Sequence, residues 1–93
     1  MSREDNRVWV FQGSGSQNVS ACFSCKEKAE RWIAQHALSG LLTAYPIDNP
    51  AYEWAVQNQI ITPSKDYQKT AKFIQNFSSA HLEHHHYENG QEA

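Results

Sequence analysis

The stretch Lys26–Ala37 limits this chain more than any other. Ala29, Trp32, Ile33, His36 and Ala37 recur at i, i+3, i+4, i+7 and i+8, which places all five on one face of a helix. Ser24 and Glu27 stand three apart ahead of it, the spacing of a capping box. Ser39-Gly40 follows as a stop signal. The pattern predicts a helix over 25–37. Such a helix needs an apolar partner, and a chain of 93 residues has few to offer. A domain of this size buries only about 60–65% of its unfolded surface, so its margin of stability is narrow.

The partner has to be a sheet. Val8–Gly13 is a compact run of strand formers, closed by the loop composition GSGSQN. Val19–Phe23 resumes as a strand, so a β-hairpin is expected. Leu41–Ile47 reads as a third strand, with Pro46 at its end or on an edge. Asn49-Pro50 opens a second, short helix over about 50–58, with Tyr52, Ala55 and Val56 on one side. ITPSKDYQKT reads as a loop, and AKFIQNF as a helical turn or a strand. Residues 80–87 read as the last strand, and 1–6 and 91–93 as frayed ends. The expectation is one α+β domain over 1–93, with an antiparallel or mixed sheet of about four strands and the helices mostly on one face.

Charge and composition exclude several functions. A formal net charge of −2, with eight scattered Lys and Arg, gives no basic field for nucleic acid or a membrane surface. No segment is apolar for long enough to span a bilayer, and MSREDNRVWV lacks the apolar core of a secretory signal. Two cysteines without such a signal suggest free thiols in a reducing cytoplasm. There is no G-x-S-x-G, no phosphate-binding loop and no nucleophile at a diagnostic distance from His36. No enzyme activity is expected.

Four of the five histidines fall within HLEHHH, residues 81–86. A purification tag would carry six histidines after Leu-Glu and then stop; here three follow Leu82-Glu83 and the chain continues through Tyr87. On a strand, His84 and His86 share one face while His85 and Tyr87 share the other. Two imidazoles at that spacing can chelate Zn²⁺ or Ni²⁺, with Glu83, Glu88 or His81 as a third ligand, but a built zinc site wants three or four. The plainer reading is one packed histidine among solvated neighbours. Cys22 and Cys25 form a C-x-x-C, yet Cys22 falls on the strand, so the redox spacing is poor. A Cys/Cys/His/His site with the tail lacks the usual finger spacing.

Aromatic residues suggest a different use. Trp9 and Trp32 fall on core faces, whereas Trp54 lies off the stripe of the second helix. Tyr45, Tyr52 and Trp54 are therefore the candidate protein-binding anchors, because Trp and Tyr dominate interface hot spots.

VWVF-G, F-S-x-K-E-K-A-E-x-W-I, L-x-G-x-L-T-x-Y-P, Y-x-W-A and F-I-x-x-F-S-S-A-x-x-E-H-x-H-Y-x-N-G together resemble a bacterial family of short domains of unknown function. The resemblance runs from about Val8 to Gly90 and implies a fold without an activity. It implies that Trp9, Gly13, Trp32, Gly40, Tyr45, Pro46, Trp54, His84, His86 and Tyr87 occupy motif positions. His81 and His85 fall at variable places. Cys22 and Cys25 depart from the pattern, which counts against a family-wide Cys/His zinc site.

The functional expectation is a non-catalytic, cytoplasmic module that binds another protein, without a cofactor. Immunity and antitoxin proteins, which neutralise a cognate toxin by covering its active site, are the class it suits; architecture alone is a weak warrant for that. The alternative is a metal-binding or metal-sensing domain using His84 and His86.

Overall fold

The computed structural model describes residues 6–93. Among these residues five strands form one antiparallel sheet: β1 (Arg7–Gly13), β2 (Val19–Phe23), β3 (Gly40–Pro46), β4 (His84–Glu88) and β5 (Gln91–Glu92). They lie in the order β2-β1-β3-β4-β5. Three helices accompany them: α1 (Lys26–Gln35), α2 (Ala51–Gln57) and α3 (Ala71–Gln75), with a 3-10 turn at Asp66–Lys69. The domain is α+β, with one strand more than the sequence suggests.

Period-two alternation builds the core. Trp9 and Phe11 on β1, Leu42 and Ala44 on β3 and Tyr87 on β4 turn to the same face and meet Ala29 and Ile33 of α1. Phe11, Ile33 and Leu42 are the largest side chains buried completely, and each contributes roughly 1.5–3 kcal/mol by leaving water. Trp32 closes the rim, edge-on to Phe11 at 5.6 Å between ring centroids. The small Ala29 and Ala44 leave room for α1 to lie close to the sheet. Tyr87 ties β4 to α1 by donating its hydroxyl to Glu30 Oε2 at 2.7 Å. Its burial, and then the Glu30 carboxylate, push that phenol well above its ordinary range.

Several expected boundaries move, each for a local reason. α1 starts after Cys25, whose extended backbone makes it the N-cap, and no side chain caps the helix. The Ser24–Glu27 capping box is thus not formed. The helix ends at Gln35 rather than Ala37, because Ala37 turns to φ +53. Leu38 N–H then bonds Ile33 O at 3.0 Å and Ala37 N–H bonds Ala34 O at 3.2 Å, which is a Schellman motif without glycine. His36 is consequently an exposed C-cap lying against Trp32, not part of a buried stripe. α2 likewise spans Ala51–Gln57 instead of 50–58, with Pro50 as N-cap. It ends the same way, with Gln59 at φ +60 and Ile60 N–H on Ala55 O at 2.8 Å.

The chain's ends also differ from expectation. The last strand begins at His84, not at 80, because Leu82 turns inward and is 3% exposed. Residues 91–93 are not frayed: Asn89 at φ +53 and Gly90 at φ +88 make the mirror-image turn that suits a hairpin, and Ala93 N–H bonds His86 O at 2.8 Å. Asn6 accepts a hydrogen bond from Ile47 N–H at 3.0 Å, so it too is held. The expected fraying of residues 1–5 lies outside the described residues.

Both helix ends give a test. A left-handed backbone costs an L-residue about 1–2 kcal/mol, part of which glycine loses again through its freer unfolded chain. Gln59→Gly and Ala37→Gly are each expected to stabilise the domain by about 0.5–1 kcal/mol. Urea denaturation would show this as a higher midpoint at an unchanged slope; a lower midpoint for the exposed Gln59→Gly would refute the strain argument.

Candidate functional surfaces

The sheet face opposite α1 carries Val10, Thr43 and His84 in one row and Leu41 and His86 in the next. Residues 78–80 run beside this face and leave a shallow groove of about 350 Å³ lined by Leu41, Thr43, Tyr45, His84 and His86. The two histidines share a face as the strand period requires, with ring centroids 5.4 Å apart and planes near perpendicular. His84 Nδ1–H donates to Leu82 O at 2.8 Å, which fixes that proton and leaves Nε2 as the ring's acceptor. No third ligand joins them. Glu83 is bound to Arg7 and His85, and among the described residues no group of three or more His, Cys, Asp or Glu is arranged to hold a metal ion. Cys22 and Cys25 are free thiols. Cys22 sits on β2, three strands from β4, roughly 14 Å at ordinary strand spacing, so it cannot share a metal with His84.

A second surface is made by the arm from Ala51 to Phe77. Its middle reads as a loop in sequence because no apolar period runs through it. Polar side chains fold it instead. Gln68 Oε1 accepts from Ser64 N–H and Lys65 N–H, both at 3.0 Å. Thr70 caps α3 by accepting from Phe73 N–H at 3.2 Å and donates its own proton to Tyr67 O at 2.8 Å. The Tyr52 hydroxyl donates to Gln68 O at 3.0 Å. Its ring stands edge-on to Phe73 and Phe77, and Tyr67 stands edge-on to Phe73 at 5.8 Å.

An open groove of about 590 Å³ is left along Tyr67, Phe73 and Phe77, with Lys72 and Asn76 also lining it. No residue of the 3-10 turn or of α3 is buried, and Tyr67 is 58% exposed. Among the described residues, no further element lies over the groove side of these rings.

The three aromatic anchors expected from sequence are therefore separated. Tyr45 lines the groove on the sheet. Tyr52 is a strut inside the arm, its hydroxyl and ring both engaged. Trp54 is half-buried on α2 and lines neither groove. Tyr67, Phe73 and Phe77 are the residues that sequence reasoning passed over, the first as loop and the others as helical turn or strand. Their signal was an aromatic-rich stretch attached to a helix too short to bury it.

A third cluster lies on the α1 side of the sheet, where side chains from β1, β5 and the start of β4 reach one another across β3. His85 Nε2 faces Glu83 Oε2 at 2.9 Å and His85 Nδ1 faces Glu92 Oε2 at 2.7 Å. Carboxylates only accept, so the two contacts are both satisfied when the ring carries both protons, as an imidazolium. Arg7 completes the cluster, 2.7 Å from Glu83 Oε1 and 5.1 Å above the Trp9 ring. The hydrogen bond to Glu83 raises His85 above its ordinary pKa; burial opposes this and the bond to Glu92 reinforces it. Glu83 is lowered by its bonds to His85 and Arg7, and Glu92 by its bond to His85. Such a cluster clamps the terminal hairpin to β1; it offers no nucleophile.

The clamp has a signed pH dependence. The His85 contribution is complete below its unfolded value near 6.5 and fades as pH rises through its higher folded pKa. The carboxylate contribution is complete above about 4.5 and fades as pH falls through the lowered values. All members act together between those limits. Glu83 is 44% exposed, so solvent screening holds the His85–Glu83 pair to roughly 0.5–1 kcal/mol. His85→Gln should cost that amount near pH 5.5 and clearly less near pH 8.5 in urea titrations. An equal cost at both would rule out the charged pair.

A family model described as a domain of unknown function (DUF7710) matches residues 8–93. No curated protein and no solved structure matches the chain.

Proposed function

The chain belongs to this family of unknown function, so its activity has to be read from its surfaces, and we propose that it is a non-catalytic module that binds another protein. One observation carries this reading. Tyr67, Phe73 and Phe77 form an apolar groove at the surface of an arm held by Tyr52, Gln68 and Thr70, and no described element fills it. Aromatic side chains held edge-to-face present a rigid surface at little cost in side-chain entropy, which is what a hot spot needs. The groove shares Ser78 with the one carrying Tyr45, His84 and His86, so the two make a continuous face. Its size and mild acidity suit an immunity or antitoxin role in the cytoplasm, in which this face covers a cognate toxin.

The test is affinity capture with the full chain from a lysate of its own organism, beside the Tyr67→Ser variant. Tyr67 is exposed enough for its loss to spare the fold. One protein should be recovered in near-equimolar yield, and removal of a hot-spot tyrosine should weaken its binding by about 2 kcal/mol, roughly 30-fold. Recovery of nothing, or equal recovery by both chains, would defeat the reading. An immunity role further requires that the captured protein be a toxin inhibited by equimolar chain.

A further inference from the structure

We infer that the aromatic groove takes an acidic segment of the partner, seating an apolar side chain on Tyr67, Phe73 and Phe77 while its carboxylates meet the lysines around them. This rests on the protein-binding reading and adds the partner's chemistry to it.

The carrier is charge placement. The chain as a whole has ten acidic against eight basic residues. Between Thr62 and Leu82 the balance reverses, with Lys65, Lys69 and Lys72 against the single carboxylate of Asp66. Lys72 lines the groove itself, and Lys65 and Lys69 border the 3-10 turn that carries Tyr67. All three are exposed, and none forms an ion pair with a described residue; the ion pairs among the described residues gather at Arg7, Lys26 and His85 instead. Of the five described lysines and arginines without an ion pair, three thus stand around the open aromatic groove of a net-acidic domain, the other two being Lys28 and Arg31 on α1. That pairing of apolar floor and cationic rim complements a peptide that alternates carboxylates with a large apolar side chain.

The same residues fit a single-stranded nucleic acid less well. Stacking needs free ring faces, whereas Phe73 already takes ring contacts from Tyr52, Tyr67 and Phe77. Three lysines on a net-negative chain also give a weak phosphate track. A protein segment is the better match.

The probe is a short fluorescein-labelled synthetic peptide of Glu and Asp around one Trp and one Leu. Its twin replaces every acid with Lys, and a labelled oligothymidylate serves as the third ligand. Full-length chain is titrated against each by fluorescence anisotropy. The acidic peptide should bind with a Kd below about 1 mM and at least about tenfold more tightly than its basic twin, and added salt should weaken it. Tyr67→Ser and the double change Lys69→Glu, Lys72→Glu should each weaken it by about tenfold or more, with thermal midpoints unchanged. Val19→Ser, at the far edge of the sheet, should leave it unaltered. Equal binding of the two peptides, tighter binding of the oligonucleotide, or no binding at all would overturn the inference. Loss of peptide preference alongside Tyr67-dependent capture of a partner would remove the acidic specificity and leave the protein-binding reading standing; loss of both would remove both.

Discussion

Gly40→Ala is expected to destabilise this domain by at least about 3 kcal/mol, at or beyond the upper end of ordinary overpacking. The reason is space. Gly40 is buried at the start of β3, paired with Gly13 on β1 and Tyr87 on β4. A methyl group built there would run into the Gln12 carbonyl oxygen, stand 2.7 Å from Phe11 Cζ and 2.8 Å from Gly13 Cα. Two of those obstacles are backbone in the neighbouring strand and cannot swing away. Relief requires β1 and β3 to part where the Phe11 ring fills the core. Domains of this kind have about 5–15 kcal/mol in hand, so the variant keeps little reserve. Urea denaturation and thermal melting would both register it, the midpoint falling by roughly 12–24 °C at 4–8 °C per kcal/mol. A loss under about 1 kcal/mol would mean that the strands separate easily there, contrary to the packing described.

The same glycine shows where sequence reasoning succeeds and where it stops. Ser39-Gly40 reads as a helix stop, but α1 already ends at Gln35, with Ala37 turned left-handed. Left-handed alanine and glutamine leave no mark in a sequence, since the usual sign of such a turn is glycine. The elements with strong periodicity were legible: β2 matches its expected limits, β1 gains one residue, and α1 loses one residue at its start and two at its end. The Asn89-Gly90 turn was legible as a signal, and its consequence follows physically. A hairpin turn needs a second strand, and Gln91–Glu92 supply it as β5.

Legibility falls off in the arm. Its fold depends on Gln68, Thr70 and the Tyr52 hydroxyl bonding to backbone groups, interactions with no periodic signature. The histidine run shows the same limit from the other direction. Strand period placed His84 and His86 on one face. Position in a motif gave His85 no weight, yet His85 is the histidine held between two carboxylates, because β5 returns Glu92 to its side. Long-range pairing decides which residue of a conspicuous run acquires partners.

Phe11→Ala is expected to cost about 3–5 kcal/mol, the range for removing a buried aromatic ring. Phe11 is 2% exposed and sits at the centre of the sheet's inner face, edge-on to Trp32. Its removal leaves a void bounded by β1, β3 and α1, and strands paired on both sides cannot collapse far to fill it. The milder Phe11→Leu gives a sharper experiment when combined with Gly40→Ala. The leucine withdraws the atom nearest the new methyl group, so the two losses should fall short of additive by roughly 0.5–3 kcal/mol, the coupling of residues in contact. The double variant should still be less stable than Phe11→Leu alone, because the Gln12 carbonyl and Gly13 Cα stay where they are. Full additivity in urea titrations would assign the whole penalty at Gly40 to the backbone of β1. Complete rescue would assign it to the ring, and the close approach of the two glycine-bearing strand ends would lose its role in holding the sheet.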